Sequence, residues 1–396
     1  MRNNEELKQN LMNTYARFPV TFVKGEGLYT YDEDGRKYAD FGSGISVNNL
    51  GHCHPAVVNA MQKQAETLCH CSNLYWSEPQ LAAAEYLVKY SGLDRVFFCN
   101  SGAEANEGAV KLARKYFYDK GRSDKYEIIT MIKSFHGRTL ATLTATGQDK
   151  VKTGFAPLPE GFVYAAYNDF EDLKAKVSDH TCAVMLEPVQ GEGGIYPMEK
   201  DYIEKVAAFC KENELLLIFD EIQCGMGRTG TIFAYEQYGV KPDIVTNAKA
   251  LGGGLPFGAF IASEEVAASF GPGSHGSTFG ANPVAAAASA AVFEVIEKEN
   301  MLAHVKTVGA YLRDKLLALK KDYPDLVKEV RGLGLMLGME VTCGASAVVN
   351  ACFEQGVVLL SAGPDVVRFL PPFIISEKDV DFLAETLKKA LNSIRK

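Results

Sequence analysis

The sequence has no uninterrupted apolar stretch of about eighteen residues, which is the length that a membrane-spanning helix requires. Residues 1–6 are polar and lack the apolar centre of a secretion signal. Basic residues are in the minority, because 41 Lys and Arg stand against 49 Asp and Glu and leave a formal net charge of −8. These features argue against a membrane or a nucleic acid as the main partner and predict a cytoplasmic protein that binds small molecules.

The spacings of ordinary zinc sites are missing as well. Residues 52–54 (His-Cys-His) and 69–71 (Cys-His-Cys) concentrate possible ligands, yet neither segment has a C-x-x-C or H-x-x-x-H pattern. The nine cysteines are an odd number and are scattered along the chain, which favours reduced thiols over a disulfide framework. We therefore expect no metal site.

No internal repeat, low-complexity segment or Pro/Ser-rich linker divides the 396 residues. Residues 1–54 combine a short amphipathic helix at 7–12 with a hairpin signal at Asp34-Gly35, and we expect them to form an arm that packs with a small C-terminal domain. In residues 55–297, short apolar strands alternate with helical stretches, which predicts a large α/β domain with a mostly parallel sheet flanked by helices. Residues 298–396 are predicted to form the small α+β domain.

Polar residues follow two strands of the predicted sheet. The apolar run 215–219 has the composition of a central parallel strand and is followed by Asp220 and Gln223, and Lys249 follows the next apolar run. Ligands of open parallel sheets bind beyond the carboxyl ends of the strands. A carboxylate beside a pyridine nitrogen keeps the ring protonated, and a lysine can form a Schiff base with an aldehyde. Taken alone, an aspartate at a strand end is as often structural or a helix cap, and a lysine before a glycine run is usually a solvated loop residue. Together they are the minimum that pyridoxal phosphate chemistry requires, and we predict a site for this cofactor.

Two further segments suit parts of such a ligand. Residues 100–106 open a helix after the strand 96–99, and the free N–H groups at a helix start attract anions. Gly102 lets an anion come close to the backbone, although the segment is neither a Walker A loop nor a dinucleotide fingerprint and, taken alone, is more often only a helix cap. Phe135 and Arg138 follow another strand, where they suit a flat ring and a carboxylate, or else core packing and a surface ion pair.

Carboxylates and hydroxyl groups occupy two other strand ends or loops. Glu187 and Glu192 follow the strand 183–186 and would repel an anionic ligand unless a cation offsets them. The Ser/Thr-rich loop 274–280 either binds phosphate or caps the helix that follows it. On these grounds alone, the loop 274–280 is open between a ligand-binding and a structural role.

In this order and with these flanking residues, the motifs resemble the class III aminotransferases of fold type I over nearly the whole chain. The resemblance implies a pyridoxal phosphate cofactor that Lys249 binds covalently, and it makes the same lysine the group that moves the substrate proton. Asp220 would stabilise the protonated pyridine. Phe135 would stack on the ring and Gln223 would bond the ring oxygen.

The resemblance also implies how the cofactor phosphate is held. The backbone amides of Gly102 and Ala103 match the phosphate-binding positions of the family. Thr278 matches a threonine that reaches the cofactor phosphate of the neighbouring subunit, and Ser277 lies near the substrate in the family. We therefore expect a homodimer with its active site at the subunit interface.

Two arginines would bind the substrates. Arg138 matches the family's clamp for the substrate carboxylate, and Arg368 matches the second carboxylate-binding arginine. Glu192 matches the glutamate that covers the second arginine when an amino donor reacts through its distal amine. The same glutamate would swing away when glutamate reacts through its α-amine. The expected reaction is a two-step transamination through pyridoxamine phosphate, with 2-oxoglutarate as the amino acceptor.

Within the family, segments 13–19, 135–140 and 224–230 are most similar to members that act on N2-acetyl-L-ornithine in arginine biosynthesis. Ile45 stands where ornithine-specific members place a tyrosine that binds the free α-amino acid end of ornithine. An apolar residue there suits an acylated α-amine, because the polar end of free ornithine would lack a partner. Members that act on 4-aminobutyrate also have an aliphatic residue at this position.

Several alternatives stay open. Ornithine, succinylornithine, 4-aminobutyrate and N-succinyl-diaminopimelate are other possible amino donors. A glutamate-1-semialdehyde aminomutase would need no external oxo acid, but Arg368 and Glu192 count against it. A non-catalytic binding protein of the family usually lacks the lysine or the aspartate, and Lys249 and Asp220 are both present.

Overall fold

A seven-stranded sheet forms the centre of the computed structural model, which describes residues 7–395. Its strands are β4 (Arg95–Cys99), β5 (Glu127–Met131), β6 (Phe162–Ala165), β7 (Thr181–Leu186), β10 (Leu216–Asp220), β11 (Ile244–Asn247) and β12 (Gly258–Ala262). They lie in the order β4-β12-β11-β10-β7-β5-β6, and β12 alone runs antiparallel to its neighbours. The mostly parallel α/β sheet predicted from the sequence is confirmed.

Helices connect these strands and cover both faces of the sheet. The helices up to residue 298 are α1 (Ser43–Ser46), α2 (Pro55–Thr67), α3 (Glu78–Ser91), α4 (Gly102–Asp119), α5 (Leu140–Ala145), α6 (Phe170–Lys176), α7 (Lys200–Glu212), α8 (Glu264–Ala267) and α9 (Pro283–Lys298), with 3-10 turns at Asp149–Val151, Ala234–Tyr238 and Lys249–Gly252. Alternate residues of β10 point to opposite faces, so Leu216 and Ile218 belong to one core cluster whereas Leu217 and Phe219 belong to another. Because both faces are buried, β10 is apolar until Asp220 at its carboxyl end.

A second sheet brings the N-terminal segment against the C-terminal region. Strands β1 (Phe22–Glu26), β2 (Tyr29–Asp32) and β3 (Lys37–Asp40) pair antiparallel, and β15 (Val357–Val358) pairs parallel with β3. The hairpin turn signalled by Asp34-Gly35 lies between β2 and β3.

The helix predicted at residues 7–12 was wrong in its extent. Among residues 7–12, only positions 7 and 8 are helical, and Leu11 and Met12 are exposed. A short helix gains too little from its own hydrogen bonds to form when its apolar residues have nothing to pack against.

The C-terminal region has its own antiparallel sheet. Its strands are β13 (Val327–Leu333), β14 (Met336–Val341), β17 (Val366–Phe369) and β16 (Leu360–Ser361), in that order across the sheet. The helices of this region are α10 (Met301–Asp322), α11 (Ala345–Glu354) and α12 (Glu377–Arg395), and a two-stranded ribbon of β8 (Val189–Gln190) and β9 (Tyr196–Pro197) completes the fold. Within residues 7–395, no helix is long and apolar enough to cross a membrane.

Helix α1 is a left-handed turn. Residues 43–46 have φ angles between 46° and 65°, which costs about 1–3 kcal/mol for a β-branched residue such as Ile45. The fully buried Arg228 holds this turn, because its Nε donates to Ser46 Oγ at 2.9 Å while its Nη1 donates to the Leu335 carbonyl at 3.2 Å. The guanidinium therefore ties the turn to the C-terminal sheet.

Candidate active site

One cavity of 440 Å³ lies beyond the carboxyl ends of β4, β5, β10 and β11. These strands are parallel to one another, so the segments that follow them meet at the same edge of the sheet. Of the residues proposed from the sequence, the cavity is lined by Gly102, Ala103, Phe135, Arg138, Asp220, Gln223 and Lys249. Seven positions spread over almost 150 residues of chain thus share one site.

Asp220 forms the inner wall of the cavity and is 3% exposed. Its Oδ2 accepts hydrogen bonds from Asn106 Nδ2 at 2.8 Å and from His136 Nδ1 at 2.8 Å, and its Oδ1 accepts one from the Ile222 amide at 3.0 Å. Three donors therefore satisfy the hydrogen-bonding capacity of this buried carboxyl group and fix its position. Burial opposes the charged form of His136, but Asp220 raises the pKa of this imidazole above its ordinary value.

Asn106 and His136 support Asp220, and the sequence assigned neither of them a role. Asn106 is fully buried in α4, where its Nδ2 also donates to the His136 carbonyl at 2.7 Å and its Oδ1 accepts from Thr246 Oγ1 at 2.7 Å. A polar residue on the buried face of an amphipathic helix was the available signal, because such a group needs hydrogen-bond partners in the core.

Lys249 ends the segment after β11 and has a left-handed φ of 52°. Burial lowers the pKa of its amine, and Arg368 acts in the same direction, while the carboxylates of Glu192 and Asp220 oppose the shift. A lysine with a lowered pKa is more often unprotonated, so it can act as a nucleophile and as a base.

The amino-terminal end of α4 forms another wall of the cavity. Ser101 caps the helix, since its hydroxyl accepts a hydrogen bond from the Glu104 amide at 3.2 Å. A Cβ atom on Gly102 would lie 2.7 Å from Ile222 Cδ1, so a larger residue here would require the Ile222 side chain to move. The unpaired N–H groups and positive end of the helix dipole therefore face the cavity at a place where an anion can come close.

Phe135 is positioned by a buried carboxyl group. Glu187, which is 5% exposed, accepts hydrogen bonds from the Phe135 amide at 3.0 Å and from the Gly191 amide at 3.3 Å. Burial raises the pKa of Glu187 to about 8. On the outer side of the cavity, the exposed guanidinium of Arg138 lies 5.5 Å from the centre of the Phe135 ring.

Arg368 and Glu192 meet beside the cavity through Gln223. Arg368 Nη1 donates to Glu192 Oε1 and, at 3.0 Å, to Gln223 Oε1, while Gln223 Nε2 donates to Glu192 Oε1 at 3.2 Å. Burial opposes ionisation of Glu192, but the charge and hydrogen bond of Arg368 lower its pKa below the ordinary value. The structure thus contains one arginine that is exposed at the cavity, Arg138, and a second that is covered by a carboxylate.

The loop proposed to bind phosphate lies at the rim. Asn100 Nδ2 donates to Ser277 Oγ at 3.2 Å, which places Ser277 next to the cavity. Thr278 is exposed and does not line the cavity of a single chain. Apart from Thr278 and Ile45, the residues proposed from the sequence either line the cavity or hydrogen-bond to a residue that lines it.

The described residues fit pyridoxal phosphate. The helix start at Gly102 suits a phosphate, the paired carboxylate of Asp220 suits a pyridinium nitrogen, and the Lys249 amine suits covalent attachment. No group of three His, Cys, Asp or Glu side chains within residues 7–395 is arranged to hold a metal ion.

Comparisons with known proteins agree with this geometry. Residues 11–391 match the family described as aminotransferase class-III, so the chain belongs to this family and is a pyridoxal phosphate-dependent aminotransferase. The chain is 51% identical over 389 residues to an acetylornithine aminotransferase of Methanocaldococcus jannaschii, with 98% of both chains covered. It is 50% identical over 375 residues to one of Clostridium acetobutylicum, with 94% of this chain and 97% of the relative covered.

Two solved structures show the same fold. The ornithine aminotransferase from Toxoplasma gondii ME49 superposes with a TM-score of 0.95 at 31% identity, over 100% of this chain and 96% of the other. The N-acetylornithine aminotransferase from Stenotrophomonas maltophilia K279a superposes with a TM-score of 0.84 at 38% identity, over 98% of each chain. The fold alone therefore does not separate the two donor substrates.

Proposed function

We propose that this enzyme transfers the distal amino group of N2-acetyl-L-ornithine to 2-oxoglutarate, forming N-acetyl-L-glutamate 5-semialdehyde and L-glutamate in arginine biosynthesis. The names of relatives about half identical over nearly the whole chain support this donor. The observation that carries the reaction type is the cavity in which Lys249 and Asp220 lie together beside two arginines, one exposed and one covered.

Lys249 and Asp220 are proposed as the catalytic pair. Pyridoxal phosphate, when bound, withdraws electrons from the substrate carbon that carries the transferred amine. Lys249 would attach the cofactor and later move a proton from that carbon, a role for which its lowered pKa is suited. Asp220 would keep the pyridine nitrogen protonated, since its carboxylate is held by buried donors.

The remaining cofactor contacts follow from the walls of the cavity. We assign the phosphate to the amides of Gly102 and Ala103, where the backbone of α4 begins. Phe135 would stack on the ring and Gln223 would bond the ring oxygen. Because Gln223 also bonds Arg368 and Glu192, it would link the cofactor to the substrate-binding arginine.

The two arginines provide places for two different carboxylates. Arg138 would bind the carboxylate of the amino donor, with Ser277 close to it. Glu192 would cover Arg368 while the donor reacts and would swing away to let Arg368 bind the α-carboxylate of glutamate. A Glu192→Ala enzyme is expected to bind the donor less well, and unchanged rates of both half-reactions in this variant would contradict the assignment.

Ile45 supports an acylated donor. Its apolar side chain projects from the left-handed turn α1 and is 39% exposed. The free α-amine of ornithine would gain no hydrogen bond from this side chain, so its desolvation would be uncompensated. Succinylornithine, 4-aminobutyrate and N-succinyl-diaminopimelate are the other donors to compare.

A second copy of the chain is proposed to complete the site. Leu74, Tyr75, Trp76 and Phe279 are 85%, 69%, 83% and 60% exposed. The first three directly follow Asn73, and Phe279 belongs to the loop of Ser277; we call these four residues the rim patch. Asn73 joins this patch to the Ser277 loop, because its Nδ2 donates to the Ser277 and Gly280 carbonyls at 2.9 Å. In a cytoplasmic homodimer, the partner would cover the patch, and Thr278 would reach the cofactor phosphate of the neighbouring subunit.

The chain is also proposed to divide into three parts. These are an arm at 1–54, a large cofactor-binding domain at 55–297 and a small domain at 298–396. The parallel pairing of β15 with β3 supports the packing of the arm with the small domain.

The first experiment would load the purified protein with pyridoxal phosphate and follow its visible absorbance. N-acetylornithine, ornithine, 4-aminobutyrate and glutamate would be added separately, because each half-reaction changes the absorbance by itself. We expect rapid changes with N-acetylornithine and glutamate and a much slower one with ornithine. A response only to another amine would keep the reaction and replace the donor, whereas the absence of any cofactor band would contradict the cofactor site.

A further inference from the structure

The loop 191–195, which carries Glu192, lies against the C-terminal sheet. Arg331 of β13, Gly338 of β14 and Arg368 of β17 are directly opposite one another in the strand register. Residues opposite each other in antiparallel strands have side chains on the same face, so the two arginines flank a position that has no side chain. A Cβ atom on Gly338 would lie 2.9 Å from Ile195 Cβ, which shows that the loop occupies the space between the arginines.

Each arginine holds a different part of this loop. Arg368 binds the side chain of Glu192, whereas Arg331 Nε donates to the backbone carbonyl of Gly194 at 2.8 Å. The Arg331 guanidinium also lies 3.9 Å from the centre of the Tyr196 ring, directly after the loop. Two arginines on the same face of the C-terminal sheet therefore hold the loop, one through the Glu192 side chain and the other through the backbone.

Arg331 is not placed to bind a substrate carboxylate. Its Nη1 donates to Glu329 Oε2 at 2.6 Å and to Glu340 Oε2 at 2.8 Å, so two carboxylates already balance its charge. Its side chain is 7% exposed, and it does not line the cavity that contains Lys249. The Arg331 guanidinium instead fixes the position of the loop backbone at Gly194.

The loop has little room to move as a whole. A Cβ atom on Gly191 would lie 2.4 Å from Gln223 Cδ, and one on Gly193 would lie 2.6 Å from the Lys133 carbonyl oxygen. Gly194 has a φ of 122°, which is open to glycine and strained for other residues. Because the backbone is confined on both sides of Glu192, a movement of this residue must come mainly from rotation of its side chain.

We propose that Arg331 is a positioning residue that, with Gly338, holds loop 191–195 so that Glu192 rests on Arg368, and thereby sets the balance between the two half-reactions. The proposal rests on the proposed function, in which Glu192 covers Arg368 for the amino donor and uncovers it for 2-oxoglutarate. Weakening the loop contact is expected to disfavour the covered state and leave the uncovered state intact.

The test measures both half-reactions of the cofactor-loaded enzyme in single turnovers. Arg331→Lys keeps a positive charge beside Glu329 and Glu340 but loses the planar fork that reaches Gly194. We expect kcat/KM of the donor half-reaction to fall about tenfold, the effect of losing one hydrogen bond from a charged group. The KM for 2-oxoglutarate should stay the same or fall, because Arg368 is uncovered more often.

A second variant disturbs the same loop without removing a charge. Gly338→Ala pushes against Ile195 from the sheet and should shift the two half-reactions in the same directions as Arg331→Lys. The matched control is Arg313→Lys, an exposed arginine of α10 on the same part of the chain, which should change neither half-reaction. Circular dichroism would verify that all three proteins are folded.

Equal losses in both half-reactions, or a loss confined to 2-oxoglutarate, would overturn the proposal. No change in either variant would overturn it as well. Failure of the proposed function has a different signature, because the unmutated enzyme itself would then not respond to N-acetylornithine. In that case, the two variants are tested with the amine that the unmutated enzyme does convert. The proposal then requires that kcat/KM for this amine falls while the KM for 2-oxoglutarate stays the same or falls.

Discussion

The inner wall of the cavity and its rim are built in opposite ways. On the inner wall, Asp220, Asn106 and His136 are 3%, 0% and 1% exposed and bond one another. In the rim patch, Leu74 and Trp76 are 85% and 83% exposed to solvent. The inner wall is complete within one chain, whereas the rim has the character of a surface that a partner covers.

The inner wall is preorganised within one chain, whereas the rim patch is proposed to depend on the association of two chains. Buried donors orient the Asp220 side chain before any ligand binds. Changes on the inner wall should therefore affect the chemical steps at any protein concentration. Changes at the rim should act through association of two chains.

The largest effect is expected at Lys249 on the inner side. Lys249→Ala removes the amine proposed to attach the cofactor and to move the substrate proton, so turnover should fall by about 10³-fold or more. Absorbance assays of both half-reactions would measure the loss. Lys211→Ala replaces an exposed lysine of α7 and should leave turnover unchanged. A Lys249 variant with near-normal turnover would contradict the catalytic assignment.

Asn106→Ala should have the next largest effect. It removes a hydrogen bond to the charged Asp220 and leaves the His136 carbonyl without this donor, a loss of about 1.5–3 kcal/mol that corresponds to roughly ten- to a hundredfold in kcat. The pH dependence of the cofactor absorbance should also shift, because Asp220 is less well held. Asn213→Ala, at an exposed asparagine, is the control. An unchanged spectrum and rate would show that Asp220 does not need this support.

At the rim, Leu74→Glu should weaken the proposed dimer about tenfold or more, because a charge would be buried at the subunit contact. Trp76 is the single tryptophan of the chain, so its fluorescence reports on this surface. When the dimer dissociates on dilution, the emission should shift to longer wavelength. In the variant, this shift should occur at a higher protein concentration than in the unmutated protein. Leu317→Glu, at a leucine of α10 that is 39% exposed, is the matched control. Equal weakening by both changes would place the contact elsewhere.

A smaller effect is expected at the turn α1. Ile45→Tyr introduces a hydroxyl that can bind the free α-amino acid end of ornithine, so the ratio of kcat/KM for ornithine over N-acetylornithine should rise about fivefold. Steady-state assays with both donors would measure this ratio. Ile45→Val keeps an apolar β-branched side chain at the same left-handed position and should leave the ratio unchanged. An unchanged ratio in the tyrosine variant would show that position 45 does not select between the two donors.

The smallest effect concerns Glu221, which follows Asp220 but points away from the cavity. Its carboxyl group is fully buried, accepts hydrogen bonds from the Ala234 and Tyr235 amides at 2.9 Å, and has a pKa that burial raises to about 7. The folded state therefore binds this proton more tightly than the unfolded state. The resulting stabilisation is complete below the ordinary pKa near 4.5 and is lost as the pH rises through about 7.

Glu221→Gln should remove this contribution to the pH dependence. Thermal unfolding at pH 5.5 and pH 8.5 would show a midpoint difference smaller by about 1–3 °C in the variant than in the unmutated protein. Glu204→Gln, at an exposed glutamate of α7, should leave the difference unchanged. An identical pH response in the Glu221 variant would show that this carboxyl group does not titrate in the folded state.

The sequence predicted the parts of the site that are local. Asp220, Gln223 and Lys249 directly follow apolar strands, so their place at the carboxyl edge of a parallel sheet follows from the chain itself. The helix start at Gly102 is local in the same sense. These short segments also carry the family resemblance, which is why the reaction type could be reached without coordinates.

Contacts between distant segments were not predictable in this way. Asn106 lies 114 residues from Asp220 and Arg331 lies 137 residues from Gly194, and no periodic pattern connects such pairs. The extent of the N-terminal helix was wrong for a related reason, because an amphipathic pattern does not show whether a packing surface exists for it.

The sequence by itself determined the α/β sheet, the family and the placement of Asp220 and Lys249 at one cavity, because apolar strands and the polar residues that follow them are local features of the chain. Only the tertiary structure decided which groups hydrogen-bond to Asp220 and how Arg331, Gly338 and Arg368 confine the loop of Glu192. The physical reason is that these hydrogen bonds and close approaches depend on strand register and helix packing, which fix distances between residues far apart in the sequence.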